Sequence, residues 1–214
     1  MKGLYVVGLG PGNLNYTTQA ALKIVGECDV LVGGRRNLDS LKHFYKDELV
    51  IDSRLDEVFQ HIDNIRKEKM VCVVVSGDPG FYSLLGYINR RYPKEEIRVI
   101  PGISSFQYLF CKLGRQWKDY MLFSLHGENV DSKKEILEYI QGGQGVLILT
   151  DKLFTPVRIA HCLTNLGYDN RTIIVGENLS YEDERITIGK PKDIIKERFS
   201  DLNVVVINKD GVEI

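Results

Sequence analysis

Cysteine is scarce in this chain and dispersed: Cys28, Cys72, Cys111 and Cys162 stand singly, with no C-x-x-C among them. That pattern excludes a disulfide framework and a zinc knuckle and leaves buried free thiols as the expectation. Long apolar runs are lacking too. Stretches such as Val71-Cys72-Val73-Val74-Val75 have strand length and fall far short of a membrane span, and Met1-Lys2-Gly3 opens no apolar signal region, so a cytoplasmic protein is expected. Nor is one sign of charge in surplus. The 28 basic and 29 acidic residues leave a formal net charge of −1, which gives no long-range pull toward nucleic acid or acidic membranes. Repeats and low-complexity segments are absent. What is present, 214 residues with 43% hydrophobic and 27% charged, suffices for one large or two small domains with real cores.

The first apolar run, Leu4-Tyr5-Val6-Val7, feeds Gly8-Leu9-Gly10-Pro11-Gly12 and then a helix expected over 17–27. This puts a glycine-rich turn at a strand's carboxyl end, where parallel α/β sheets bind ligands; glycine, lacking Cβ, lets backbone approach a ligand closely. The spacing is not that of the dinucleotide motif, whose third glycine falls one residue later. Pro11 also removes an N–H where a pyrophosphate wants donors. A ligand without phosphate is therefore expected.

Apolar runs then alternate with amphipathic segments in a βαβ rhythm: a strand at 30–32, a helix from about Arg35, and strands at 70–75 and 97–100. Ser53-Arg54-Leu55-Asp56 has capping-box spacing, and Leu55, Val58, Phe59, Ile62 and Ile65 then share one helical face. Strand 70–75 runs into Ser76-Gly77-Asp78-Pro79-Gly80 and a helix over 81–91, while strand 97–100 runs into Pro101-Gly102-Ile103-Ser104-Ser105, opening another helix. The polar stretch 115–118 reads as a linker between domains 1–114 and 119–214. In the second domain, Ser132-Lys133-Lys134-Glu135 repeats the capping-box spacing, and Thr155-Pro156 starts a further helix. Strands at 120–125, 146–149, 172–175, 184–188 and 203–207, with one short helix at 192–198, predict a mixed sheet there.

Singly, each motif has a plain structural reading: a packing turn for the glycines, an ordinary Asp-Pro turn at 76–79, an N-cap for Ser104. Arg35-Arg36 reads as a solvated helix start, or as the arginine a 2′-phosphate-preferring dinucleotide enzyme would place there. Among the histidines, His126 follows a strand and precedes a glycine. His43, His61 and His161 fall in helical segments with no metal-ligand partner at suitable spacing.

Together, the turns at 8–12, 76–79, 101–105, 149–151 and 176–180 resemble the tetrapyrrole (corrin and porphyrin) methylase family, which uses S-adenosylmethionine, over almost the whole chain. Within it, Val32-Gly33-Gly34-Arg35-Arg36, Ser124-Leu125-His126-Gly127, Leu149-Thr150-Asp151 with Thr155-Pro156 and Ile159-Ala160, and Glu177-Asn178-Leu179 with Glu184-Arg185-Ile186 resemble the branch methylating C5 of cobalt-precorrin-7 in cobalamin biosynthesis. One departure is Glu128, where that branch carries arginine after His-Gly.

The resemblance implies a two-domain α/β fold, mostly parallel sheet first and mixed sheet second, with the cofactor in the cleft between domains, and a homodimer. It implies cofactor contacts at Leu9, Pro11, Gly77, Asp78, Phe81, Ser104, Ser105, Thr150 and Leu179. Arg35 and Arg36, with Arg115, Lys118 and Arg158 behind them, are candidates to meet the acetates and propionates of the substrate. Asp78 or His126 is the candidate acceptor for a ring proton. Cobalt would arrive inside the substrate, so no protein metal site is expected. The C15-methylating, decarboxylating activity that related enzymes carry as a fusion is expected on a separate polypeptide. The alternatives are a diphthine synthase-like or rRNA-methylating member of the same superfamily, and an NADP-binding module.

Overall fold

The computed structural model describes residues 3–52, 54–125 and 130–209, with the backbone alone at 130–133. The chain divides into two compact units, one ending at Ser105 and the other beginning at Phe106.

In the first unit, β1 (Gly3–Gly8), β2 (Val30–Gly33), β3 (Asp47–Val50), β4 (Met70–Val75) and β5 (Ile97–Ile100) form a sheet in the order β3-β2-β4-β1-β5. Every pairing is parallel. All six residues of β4 are buried, because a parallel sheet covered on both faces needs an unbroken apolar run. Alternation assigns the faces. Leu4 and Val6 of β1 enter one buried cluster with Val58, Phe59 and Ile62, while Tyr5 and Val7 enter another with Ala21, Val25 and Cys72. The helices are α1 (Gln19–Glu27), α2 (Arg35–Ser40), α3 (Leu55–Ile65) and α4 (Leu85–Arg91), while α5 (Ser105–Lys112) starts at the last residue of this unit and belongs otherwise to the second. Complete burial of the α3 residue Phe59 stabilises this unit by about 1.5–3 kcal/mol.

Several local expectations are corrected. The N-cap of α1 is Thr18, whose side chain accepts from the Ala21 N–H at 3.2 Å, and Thr17 stays outside the helix. The helix expected from residue 81 begins only at Leu85, because Tyr82 takes φ of 48° and turns the chain. β3 was not expected: Asp47-Glu48-Leu49-Val50 is polar at its start and forms an edge strand through backbone pairing with β2. Ser53 lies outside the described residues, and the N-cap of α3, Arg54, makes no side-chain cap bond.

The second unit pairs β6 (Tyr120–Ser124), β7 (Gly145–Leu149), β8 (Ile173–Glu177), β9 (Arg185–Gly189) and β10 (Asn203–Ile207) in the order β6-β7-β10-β8-β9. β6 and β7 run parallel and the other pairs antiparallel, giving the mixed sheet expected. Its other helices are α6 (Val130–Gln141), α7 (Pro156–Asn165) and α8 (Pro191–Ile194). Ser132 lies inside α6 rather than capping it. α8 stops well short of residue 198, whose carbonyl accepts from the Arg185 guanidinium. The stretch 115–118, expected as a linker, belongs to this unit: Phe106 meets Trp117 edge-on at 5.2 Å and Phe110 meets Tyr120 at 4.9 Å. Buried Arg171 donates to the carbonyls of Asn208, at 2.7 Å, and Ile140, closing the end of α6 where carbonyls lack helical partners.

All four cysteines are free; Cys28 and Cys72 are buried, but Cys111 and Cys162 are exposed, contrary to expectation. Among the described residues no helix is long and apolar enough to cross a membrane.

Candidate active site

The strand order makes β4 and β5 the two neighbours of β1, so a parallel sheet brings the turns after all three strands to one edge. They touch backbone to backbone. A Cβ on Gly8 would lie 2.5 Å from the Gly77 carbonyl oxygen and 2.8 Å from the Gly102 nitrogen, and one on Gly102 would lie 2.2 Å from that same oxygen. Gly10 and Gly77 exchange hydrogen bonds, at 2.7 Å from the Gly77 N–H and 3.3 Å from the Gly10 N–H, each with positive φ. At Gly8 and Gly102 the missing Cβ thus admits the next turn rather than a ligand.

Asp78 braces these turns. Its Oδ1 accepts from the Gly80 N–H at 2.8 Å and its Oδ2 from the Gly102 N–H at 3.1 Å, tying the β4 turn to the β5 turn. A carboxylate has about four lone-pair sites, so acceptor capacity remains for a ligand. Leu9 sends its side chain into the core, while its backbone is held by Val75 and by the Thr17 hydroxyl, which donates to the Leu9 carbonyl at 2.6 Å. Pro11 and Ser104 are buried, Ser105 opens α5, and the half-buried Phe81 ring stands edge-on to Tyr82 at 4.9 Å. The structure therefore gathers the first-unit cofactor candidates on the turns of three adjacent strands.

Arg35 and Arg36 part company. Arg35 lies 3.6 Å from Glu48, whereas Arg36 donates to the Ser76 hydroxyl at 3.0 Å, immediately before Gly77. Ser76 in turn donates to Asn37 Oδ1 at 3.0 Å. Ser76 entered the sequence reading only as part of the 76–79 turn and Asn37 not at all, since single polar residues carry no periodic signal.

In the second unit, Thr150 follows β7 and donates to Asn203 Oδ1 at 2.6 Å. Leu179 is buried between Asn178 and Ser180, which take φ of 45° and 72°. Two carboxylates hold that turn. Glu177 accepts from Arg185 Nε at 2.6 Å and from the Ser200 N–H at 2.8 Å; Glu184 accepts from the Ser180 N–H at 2.7 Å and meets Lys112 at 3.0 Å. Burial works to raise the Glu184 carboxyl, but the Ser180, Tyr108 and Lys112 donors outweigh it and hold it below the usual glutamate range. Of the candidate rim cations, Arg158 donates to the Leu153 carbonyl at 3.1 Å and covers the Phe154 ring, and Lys118 is exposed. His126 and Glu128 lie outside the described residues. Among the described residues no group of three or more His, Cys, Asp or Glu could hold a metal ion.

Touching glycine turns at the carboxyl edge of a parallel sheet, the edge at which such sheets bind ligands, followed by a mixed-sheet unit, define a two-unit α/β fold. The profile of the tetrapyrrole (corrin/porphyrin) methylases matches residues 3–195, and the chain belongs to that family; it is a methyltransferase. It is 36% identical to the probable cobalt-precorrin-7 C(5)-methyltransferase of Methanocaldococcus jannaschii, over 97% of this chain and 98% of that one. To the cobalt-precorrin-7 C(5)-methyltransferase of Salmonella typhimurium it is 34% identical, over 86% of this chain and 88% of the relative. The crystal structure of the cobalamin biosynthesis precorrin-6Y methylase of Archaeoglobus fulgidus superposes with a TM-score of 0.72 at 26% identity, covering 97% of this chain and 98% of that one. These similarities favour neither the protein- or RNA-methylating alternatives nor an NADP-binding module.

Proposed function

We propose that this protein transfers the methyl group of S-adenosylmethionine to C5 of cobalt-precorrin-7 in cobalamin biosynthesis. The observation that carries this reading is the 36% identity, along nearly the full length of both chains, to the archaeal cobalt-precorrin-7 methyltransferase. The turn cluster supports it: Pro11 withholds a donor that a pyrophosphate would need, and Asp78 keeps acceptor capacity for an ammonium or a hydroxyl.

When bound, S-adenosylmethionine supplies a methyl group on a sulfonium that departs as a neutral thioether, so the reaction needs no acid for its leaving group. The chain's task is then to orient and to exclude water. Leu9, Pro11, Gly77, Asp78, Phe81, Ser104 and Ser105 form the proposed first-unit contacts, and the backbone-to-backbone packing of their turns fixes them before the ligand arrives. Pre-set orientation of reacting groups lowers a barrier by up to about 7–11 kcal/mol. Thr150 and Leu179 join the set on the resemblance alone. Arg35 and Arg36 are the proposed substrate cations, and a ring proton released after transfer would pass to Asp78 or His126. A cytoplasmic homodimer, and a separate enzyme for the C15 step, complete the proposal.

Incubating the purified protein with methyl-labelled S-adenosylmethionine and cobalt-precorrin-7, then locating the label, tests it. Label at C5 is the expected outcome; label elsewhere, or none transferred, overturns the reading.

A further inference from the structure

We propose that Asn37 and Ser76 are positioning residues that present Arg36, its charge unneutralised, to one carboxylate of the substrate ring. The proposal rests on the reading above, that the acceptor is a carboxylated tetrapyrrole.

Four of the first unit's other six arginines supply the contrast; of the remaining two, Arg98 donates to the Tyr5 hydroxyl. Arg35 meets Glu48; Arg54 meets Asp52 and Glu57; Arg66 meets Asp63 and Glu96; Arg91 meets Asp63. Arg36 meets no carboxylate among the described residues. Its partner is the Ser76 hydroxyl at 3.0 Å, and that hydroxyl gives its hydrogen to Asn37 Oδ1 at 3.0 Å. The direction of this relay matters. A hydroxyl has one hydrogen, so once that hydrogen points at Asn37 the oxygen lone pairs are free to face the guanidinium. Both acceptors are neutral. They orient the arginine without cancelling its charge, and its remaining N–H donors stay available in the planar fork that grips a carboxylate.

The placement is specific as well. Ser76 follows β4 directly and precedes Gly77 and Asp78, so the guanidinium is tied to the turn cluster although Arg36 lies 40 residues away in the chain. The reach is possible because β2, which leads into α2, is the neighbour of β4 in the sheet. A surface arginine kept only for solubility would need neither the serine nor the asparagine.

Asn37→Asp is the informative variant, because it keeps the shape of the relay while adding the negative charge the native pair avoids. Steady-state kinetics with cobalt-precorrin-7 should show KM raised about tenfold to a hundredfold, with kcat changed less than about twofold. Calorimetric affinity for S-adenosylhomocysteine should stay at the parental value, which also reports an intact fold. Ser76→Ala should raise KM in the same direction, and Ser76→Thr, which restores a hydroxyl, should bring it back. Parental KM in Asn37→Asp overturns the proposal, as does an equal loss of S-adenosylhomocysteine affinity, which would assign the pair to the cofactor turns instead. Failure of the parent protein to methylate the ring at all is a separate result: it removes the proposed reaction and this assignment with it.

Discussion

The two sheets secure the turns at their strand ends by different means. In the first unit, backbone lies against backbone, with Gly8 and Gly102 so near the Gly77 carbonyl oxygen that neither could carry a Cβ. In the second, the Asn178–Ser180 turn hangs on side chains, chiefly the Glu177 and Glu184 carboxylates. Topology explains the contrast. Parallel neighbours deliver consecutive turns to one edge, where they must share space, and glycine is the solution. β7 and β8 both run antiparallel to β10, so Thr150 and Asn178 instead flank the first residue of β10, Asn203, which bonds Thr150 and the Ser200 carbonyl. The lesson is that backbone-held turns are intolerant of volume, whereas side-chain-held turns are intolerant of lost charge.

Gly102→Ala should do the most damage. Its Cβ would press on the Gly77 carbonyl oxygen from 2.2 Å, and backbone yields poorly, so a loss of about 3 kcal/mol in unfolding free energy is expected by chemical denaturation, with S-adenosylhomocysteine binding lost too. Glu177→Ala attacks the other unit by leaving Arg185 and the Ser200 N–H short of an acceptor; Arg185 keeps Glu197, so the expected cost is about 2 kcal/mol. Faster amide exchange around 178–180, with the first unit unaffected, would confirm the separation. Asp78→Ala removes the brace between two turns and a proposed ligand acceptor, and should weaken S-adenosylhomocysteine about tenfold by calorimetry; parental affinity would remove Asp78 from the cofactor set.

Acid should discriminate the units more gently. Because Glu184 is held below its ordinary value, the folded state binds fewer protons than the unfolded one. Its contribution is complete above about 4.5 and is lost as pH falls through the lower folded value. Exchange of the Ser180 N–H should quicken over that range, and Glu184→Gln should flatten the dependence. Smallest of all is Arg54→Ala: its partners Asp52 and Glu57 are solvent-exposed, so the midpoint should not move measurably.

Most of the strands were legible because burial on both faces writes unbroken apolar runs, and β4 matches its expected span residue for residue. β3 was not, since an edge strand can be polar and still pair through its backbone. Helix starts erred at two places: Tyr82 in a left-handed conformation delays α4, and Ser132 lies within α6 despite its capping-box spacing. The glycine turns announced the candidate site, but not that two of their glycines serve one another. Contacts between side chains distant in sequence, such as Arg36 with Ser76 or Thr150 with Asn203, leave no trace in a pattern read along the chain.

The central position of β10 has a consequence for synthesis. All five strands of the first sheet have been translated by residue 100, whereas the second cannot join its β6–β7 pair to its β8–β9 pair until Asn203–Ile207 emerges. A nascent chain therefore passes through a stage with one finished sheet and two unjoined hydrogen-bonding edges, on β7 and β8. Such edges invite pairing with other chains, so the interval before β10 arrives is when this protein is most exposed to misassembly on the ribosome.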